Sequence, residues 1–327
     1  MNKAVTRELE VALRCAVAAA EVCQRVQAKM VSDDAITKDD KSPVTVADFG
    51  SQAVVCRILK ESFPSDSIVA EETSRDLRMP ENGGLLKHVA QFVTAILPDT
   101  SEERVCEWID LGTKATASRY WCLDPIDGTK GFLRGDQYAV ALALVVEGKV
   151  QLGVLACPNL PNHLEQPDGP RGVLLWAVLG QGAFQRSLDR RETRPIRVSQ
   201  AGLGGAIRFC ESFESGHSDH EAHGQVAQRL GITAPSIRMD SQAKYGIVAR
   251  GDASIYLRLP NPKTPDYREK VWDHAAGTII IEEAGGKVTD INGKPLNFGQ
   301  GYKLMQNSGV VATNRLIHDE VLAALRH

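Results

Sequence analysis

The sequence contains no Cys-x-x-Cys pair, although it has seven cysteines, at positions 15, 23, 56, 106, 122, 157 and 210. An odd and scattered set argues against a disulfide framework. It leaves the thiols as small core residues in a reducing, cytosol-like compartment. No apolar run reaches 18 residues, so a membrane-spanning helix is excluded. Excess charge of either sign is missing too: 38 basic residues face 41 acidic ones, a net charge of −3, and no basic tract stands out. General adsorption to nucleic-acid polymers or to membranes therefore gains no support. There is no Walker A string, Gly-x-Gly-x-x-Gly fingerprint or Gly-x-Ser-x-Gly elbow, which argues against P-loop, dinucleotide and hydrolase-elbow chemistry. Internal repeats and low-complexity segments are absent. Glu8 and Glu10 lie near an N-terminus with no apolar signal core and no acid-poor transit pattern, so a cytoplasmic location is expected.

What is present is an ordinary globular chain of 327 residues, 43% hydrophobic and 24% charged, long enough for two subdomains. Val5, Leu9, Ala12, Ala16, Ala19, Cys23, Val26 and Met30 alternate at spacings of four and three, which predicts one long helix with a slim face. Residues 38–42 read as a polar loop and 43–47 as an extended lead into Asp48. A second helix then stops before Pro64. Ser67 to Ala70 reads as a strand, residues 74–118 as an insertion of helix and loop, and two hairpins follow around Glu147-Gly148-Lys149 and Gly180-Gln181-Gly182. Residues 1–194 thus read as an α+β subdomain. From about Pro195 the rhythm changes. Strands are expected at 207–209, 236–239, 253–257, 287–290 and 309–313, with helices over 221–230, 243–249, 272–284 and 316–326. Residues 195–327 therefore read as an α/β subdomain.

The densest chemistry lies in Asp124-Pro125-Ile126-Asp127-Gly128-Thr129. Tyr120 to Leu123 predicts a buried strand that Pro125 ends, for want of an N–H to give a ladder. Two carboxylates three residues apart then flank a turn, an arrangement that suits a hard divalent cation, with the Ile126 carbonyl as a further oxygen. Gly128 permits close backbone approach, and the amides that follow can meet a phosphate oxygen. Taken alone this is equally an Asp-Pro turn with an Asx-type cap. Asp48, Glu71 and Asp273 each allow a plain reading as well: an N-cap, a solvated strand end, and a carboxylate at a helix start. Together, acids at separate element ends can converge on one cleft.

These residues resemble the inositol monophosphatase superfamily, whose pattern is an acidic strand end, the Asp-Pro-Ile-Asp-Gly-Thr core and a Trp-Asp helix start followed by Gly-Gly. Here these are Glu71-Glu72, Asp124 to Thr129, and Trp272-Asp273 with Gly285-Gly286. The resemblance spans nearly the whole chain. It is strongest to the plant-type 3′(2′),5′-bisphosphate nucleotidase branch, on the strings Lys41 to Asp48, Gly131 to Tyr138, Asp240 to Tyr245 and Tyr256 to Pro260. It implies a layered α-β-α-β-α sandwich. It also implies two or three Mg²⁺ held by Glu71, Asp124, the Ile126 carbonyl, Asp127 and Asp273, with Asp48 and Thr129 activating the attacking water, and sensitivity to lithium.

The substrate contacts implied by the resemblance are Gly128, Thr129 and Asp273, Gly216-His217 at the base, and Ser241, Lys244 and Arg258 around base, ribose and 5′-phosphate. Arg258 suits a second phosphate, which it can bind bidentately. The expected activity is removal of the 3′-phosphate from adenosine 3′,5′-bisphosphate, with 3′-phosphoadenosine 5′-phosphosulfate a second substrate, by a monomer acting on small molecules. Rival readings are an inositol (poly)phosphate 1-phosphatase and a non-catalytic nucleotide-binding protein. His217, His220 and His223 are spaced by three, which does not keep zinc ligands on one helical face, and zinc is not expected. Two stretches depart from the branch: a longer, proline-rich segment over 261–266 and an abbreviated one over 161–170.

Overall fold

The computed structural model describes residues 3–32, 42–189, 192–213, 220–261, 263–264 and 266–326. Helix α1 (Lys3–Ser32) carries the small-residue stripe: Ala12, Cys15, Ala16, Ala19 and Cys23 are all buried. It packs on α2 (Ser42–Ser62) so closely that a Cβ on Gly50 would stand 2.9 Å from Val22 Cγ1. Residues 43–47 are thus helical rather than extended, and Asp48 lies inside α2, not at its N-cap. Pro43 falls in the first turn, where a missing N–H breaks no helical bond.

Strand β1 (Ser67–Ala70) precedes α3 (Gly83–Thr94) and α4 (Glu102–Ile109), which pack on α2. The expected insertion also supplies β2 (Gly112–Thr113), an edge strand parallel to β1. In β3 (Arg119–Asp127), Trp121 and Leu123 enter the core under α1 and α2, while Tyr120 and Cys122 enter the core on the other face. Pro125 does not end this strand. The register against β4 (Ala139–Val146) shifts between Asp124 and Asp127, and in that bulge the proline's missing donor is harmless. Helix α5 (Thr129–Arg134) bridges β3 and β4. β4 turns into β5 (Lys149–Pro161) through Glu147 and Gly148, whose φ values of 49° and 72° give the expected hairpin. β6 (Arg171–Val178), β7 (Gly182–Ser187) and β8 (Arg194–Ile196) complete a sheet ordered β2-β1-β3-β4-β5-β6-β7-β8.

The remaining elements are β9 (Phe209–Glu211), α6 (His220–Arg229), β10 (Ile237–Arg238), α7 (Ala243–Ala249), β11 (Ile255–Arg258), α8 (Ala275–Glu283), β12 (Lys287–Thr289), β13 (Val310–Thr313) and α9 (His318–Leu325). Their sheet, β10-β9-β11-β13-β12, mixes parallel and antiparallel pairs. Strands β9 and β11 each begin two residues later than expected. Helix α8 begins at Ala275, which leaves Trp272 and Asp273 in the turn before it.

Three apolar cores hold five layers together: α1 with α2, the first sheet, α7 with α8, the second sheet, and α6 with α9. The middle layer sits tight on its neighbours. A Cβ on Gly153 of β5 would lie 2.7 Å from the Ala276 carbonyl, and within the layer one on Gly277 of α8 would lie 2.3 Å from the Tyr245 ring of α7. This packing brings the ends of β1 and β3 against the starts of α7 and α8.

Candidate active site

β1 and β3 are parallel neighbours, with Ala70 opposite Leu123, so Glu71 and Asp124 emerge side by side. Helix α2 braces both ends. Ser51 Oγ donates to the Pro125 carbonyl (3.0 Å), and the Gln52 amide clamps Glu72 through its carbonyl (2.8 Å) and its N–H (2.9 Å). Gly128 holds a φ of 89°, and a Cβ there would stand 2.8 Å from the Cβ of Ser241. Only a glycine therefore lets the first half of the chain meet the second at this turn. Ser241 itself is in the left-handed region, φ 66°, which aims the N–H of Gln242 at Asp127 Oδ2 (2.6 Å). The Gln242 side chain donates to the Trp272 carbonyl (2.9 Å) and accepts from the Gly277 N–H (3.1 Å). One buried glutamine thus ties Asp127 to the turn that carries Asp273.

The outcome is a cavity of about 460 Å³ lined by Glu71, Asp124, Ile126, Asp127, Gly128, Thr129, Ser241, Lys244, Arg258 and Asp273. Asp48 is not in its lining but lies close enough to feel Glu72 and Glu71. Gly216 and His217 fall outside the described residues, as does the side chain of His220. His223 is buried, with Nδ1 3.2 Å from Glu211 Oε2 and its ring stacked on Phe209. All seven cysteines are buried and free of disulfides.

The floor of the cavity is short of positive charge. Burial, then repulsion from Glu71, Asp127, Asp273 and Asp48, pushes the Asp124 carboxyl well above the usual range. Glu71 is pushed up to about 7 by burial, Glu72 and Asp127, against the pull of Lys114 and Lys270. Asp273 also rises to about 7, through burial and then Asp127 and Glu269, with His274 opposing. Asp48 rises through burial, Glu72 and Glu71. A set of oxygen donors that resists ionisation fits a hard divalent cation, which would relieve the repulsion.

The wall is different, because its charges are already partnered. Arg258 Nε donates to Glu269 Oε1 (3.0 Å), and His274 Nε2 meets Glu269 Oε2 (3.1 Å). Burial alone would raise Glu269, but His274 and Arg258 outweigh it and hold the carboxyl down to about 2. The Tyr245 hydroxyl lies 2.7 Å from His274 Nδ1, so both ring nitrogens are engaged, one by Tyr245 and the other by Glu269. Among the described residues, Glu269, Asp273 and His274 also form a group of possible metal donors within 4.8 Å of one another. Both Glu269 oxygens and both His274 nitrogens are taken, so this group is a hydrogen-bonded post rather than an open ligand set. Lys244 is buried beneath it, its ammonium 5.4 Å from the Tyr256 ring centroid.

Sequence reasoning missed Gln52, Lys114, Gln242, Glu269 and His274. Gln242 lay inside the Asp240 to Tyr245 string and His274 beside Asp273, but neither carries a pattern of its own. Lys114 sat in what read as an insertion.

Comparison with known proteins accords with this geometry. A family model described as the inositol monophosphatase family matches residues 5–327. A protein from Schizosaccharomyces pombe named 3′(2′),5′-bisphosphate nucleotidase is 45% identical over 305 residues, covering 89% of this chain and 85% of its own. An Arabidopsis thaliana protein named 3′(2′),5′-bisphosphate nucleotidase 1 is 44% identical over 344 residues, covering 99% and 96%. Among solved structures, an inositol monophosphatase from Anabaena superposes with a TM-score of 0.63 at 24% identity, covering 99% of this chain and 97% of that one, which speaks for the fold. Among the described residues, no helix is long and apolar enough to cross a membrane. Fold, site and relatives agree, and the chain belongs to the inositol monophosphatase family.

Proposed function

We propose that this chain is a Mg²⁺-dependent phosphatase that removes the 3′-phosphate of adenosine 3′,5′-bisphosphate, and that it accepts 3′-phosphoadenosine 5′-phosphosulfate as well. The observation that carries this reading is one cavity in which a floor of mutually repelling carboxylates faces a wall bearing Arg258 and Lys244. The floor suits a metal and the wall a second phosphate, and relatives at 44–45% identity bear the nucleotidase name. Glu71, Asp124, the Ile126 carbonyl, Asp127 and Asp273 would hold two or three Mg²⁺, which when bound polarise the phosphoryl group and acidify water.

The chain's own residues supply the rest. Thr129 Oγ1 takes a proton from the attacking water as Asp48 accepts the proton of Thr129. Arg258, paired with Glu269, brings a fixed guanidinium charge to the 5′-phosphate, while Lys244 adds charge and Ser241 a hydroxyl on the ribose side. In this reading residues 1–194 supply the metal-holding floor apart from Asp273, which comes with the substrate wall from 195–327. Phosphate release measured over nucleotide and inositol phosphates, with and without Mg²⁺ and with lithium, tests it. Turnover of adenosine 3′,5′-bisphosphate is expected to need Mg²⁺ and to exceed turnover of inositol phosphates; release without added metal, or a preference for inositol phosphates, overturns the reading.

A further inference from the structure

Lys114 stands where no pattern in the sequence drew attention. It follows β2, a strand of two residues that runs against β1, with Ile68 opposite Gly112 and Val69 opposite Thr113. The approach depends on Gly112. A Cβ there would lie 2.7 Å from Ala70 Cβ and 2.8 Å from Gln52 Nε2. The chain is thereby carried past the end of β1, and the next side chain but one turns back over it. Lys114 Nζ donates to the Ala70 carbonyl (2.6 Å) and to the Glu71 carbonyl. Its ammonium also lies 4.3 Å from the centroid of the Trp272 ring, which stacks on Tyr302 and immediately precedes Asp273.

One cation therefore joins two segments that come from different halves of the chain, each delivering an acid to the cavity. The main chain at 70–72 is gripped from both sides, by Lys114 on the carbonyls of Ala70 and Glu71 and by Gln52 on Glu72. The ammonium spends these hydrogen bonds on backbone oxygens, not on the Glu71 carboxylate, which stays available to the cavity.

We propose that Lys114 is a positioning residue for the acidic centre: pinned on two carbonyls and on the Trp272 ring, it sets the spacing of Glu71 and Asp273, so that a divalent cation meets a preformed site. This rests on the Mg²⁺-dependent reading of the cavity. A positive charge so near would otherwise compete with the metal, and the two roles predict opposite signs.

Wild type, Lys114→Met, Lys114→Gln and Lys114→Arg are compared by the Mg²⁺ concentration at half-maximal rise in melting temperature and, separately, at half-maximal phosphate release. Lys114→Met is expected to raise both midpoints about tenfold, the scale seen when outer partners of metal ligands are lost. Its turnover at saturating Mg²⁺ should stay within about threefold of wild type, with Arg restoring the midpoints and Gln falling between. An unchanged midpoint overturns the proposal, and a lowered one shows a competing charge instead. The side chain is only partly buried at a sheet edge, so the variants are expected to fold, and Lys114→Arg reads the role if Met does not. If wild type itself shows no Mg²⁺-dependent stabilisation or turnover, the functional reading fails; if it shows both and Lys114→Met matches it, only this inference fails.

Discussion

The floor and the wall of the cavity solve opposite electrostatic problems. On the floor, Glu71, Asp124 and Asp273 crowd together and their proton affinities rise. On the wall, Glu269 is driven the other way by Arg258 and His274. Burial penalises all of these carboxylates, so the difference lies in direct pairing: Glu269 is hydrogen-bonded to Arg258 and His274, whereas Lys114 beside the floor bonds backbone carbonyls instead. The floor leaves its carboxylates repelling one another, whereas the wall's Glu269 is paired within the protein and the Arg258 guanidinium beside it is held in place. A site of this kind selects a cation with one surface and an anion with the other.

The largest effect is expected where floor chemistry turns on one hydroxyl. Thr129→Ala should lower turnover by about 10²–10⁴, the usual range for a lost acid–base partner, with little change in melting temperature. Phosphate release under saturating Mg²⁺ measures it. Near-normal turnover would remove Thr129 and Asp48 from the chemistry.

The joint between the two surfaces comes next. Gly128→Ala forces a side chain into φ 89° and places a Cβ 2.8 Å from Ser241. Strain and overpacking together should cost about 2–4 kcal/mol of stability by urea unfolding. Gly135→Ala is the matched control. It shares a positive φ of 72° but has open space around it, so only the smaller conformational part of the loss is expected. Equal losses at the two glycines would mean that floor and wall are not in close contact.

How far this division was legible in the sequence follows from the same physics. Acids after apolar runs carry their own signal, since Ser67–Ala70 leads to Glu71 and Tyr120–Leu123 to Asp124, and both runs are strands, although β3 continues to Asp127. The five-layer order was inferred through resemblance; periodicity gave the elements but not their stacking. Boundaries failed where a residue's local preference met tertiary context. Pro125 was read as a strand end, yet a bulge absorbs it, and Pro43 was read as extended, yet it sits in a helix's first turn. The wall was least legible. Glu269, His274 and Tyr245 act through hydrogen bonds across 29 residues or fewer of chain, with no periodicity to mark them.

A buried histidine remote from both surfaces shows what a titratable group does when its partners are neutral. Thr289 Oγ1 donates to the Asp290 carbonyl, so it accepts from His318 Nε2 (2.9 Å). Thr313 Oγ1 accepts from the Arg315 N–H and donates to His318 Nδ1 (2.9 Å). A neutral ring satisfies both nitrogens, and burial, aided by Lys287, lowers its pKa to about 4. The unfolded chain, with a histidine near 6.5, binds the proton first as pH falls. Stability from this group is therefore fully present above about pH 6.5 and lost as pH drops through about 4, up to about 3 kcal/mol. His318→Gln should flatten that part of the stability–pH curve; an unchanged slope between pH 6.5 and 4 would show that His318 is not buried as a neutral ring.

The smallest effect is also the most discriminating between surfaces. Arg258→Ala should reduce kcat/KM for adenosine 3′,5′-bisphosphate by about 10- to 30-fold, within the range of a charge-assisted hydrogen bond, and for an inositol monophosphate by less than about threefold. The split arises because only the bisphosphate has a second anion to place on the wall. Arg258→Ala also strips Glu269 of a partner, so part of any loss could come from an unpaired buried carboxylate rather than a missing phosphate contact. Pairing Arg258→Ala with Glu269→Gln separates the two. Stability should recover in the double variant, because the buried charge is gone, while discrimination between the two substrates should stay lost. Recovery of both would place Arg258 among the braces of the fold and leave the second phosphate without its cation.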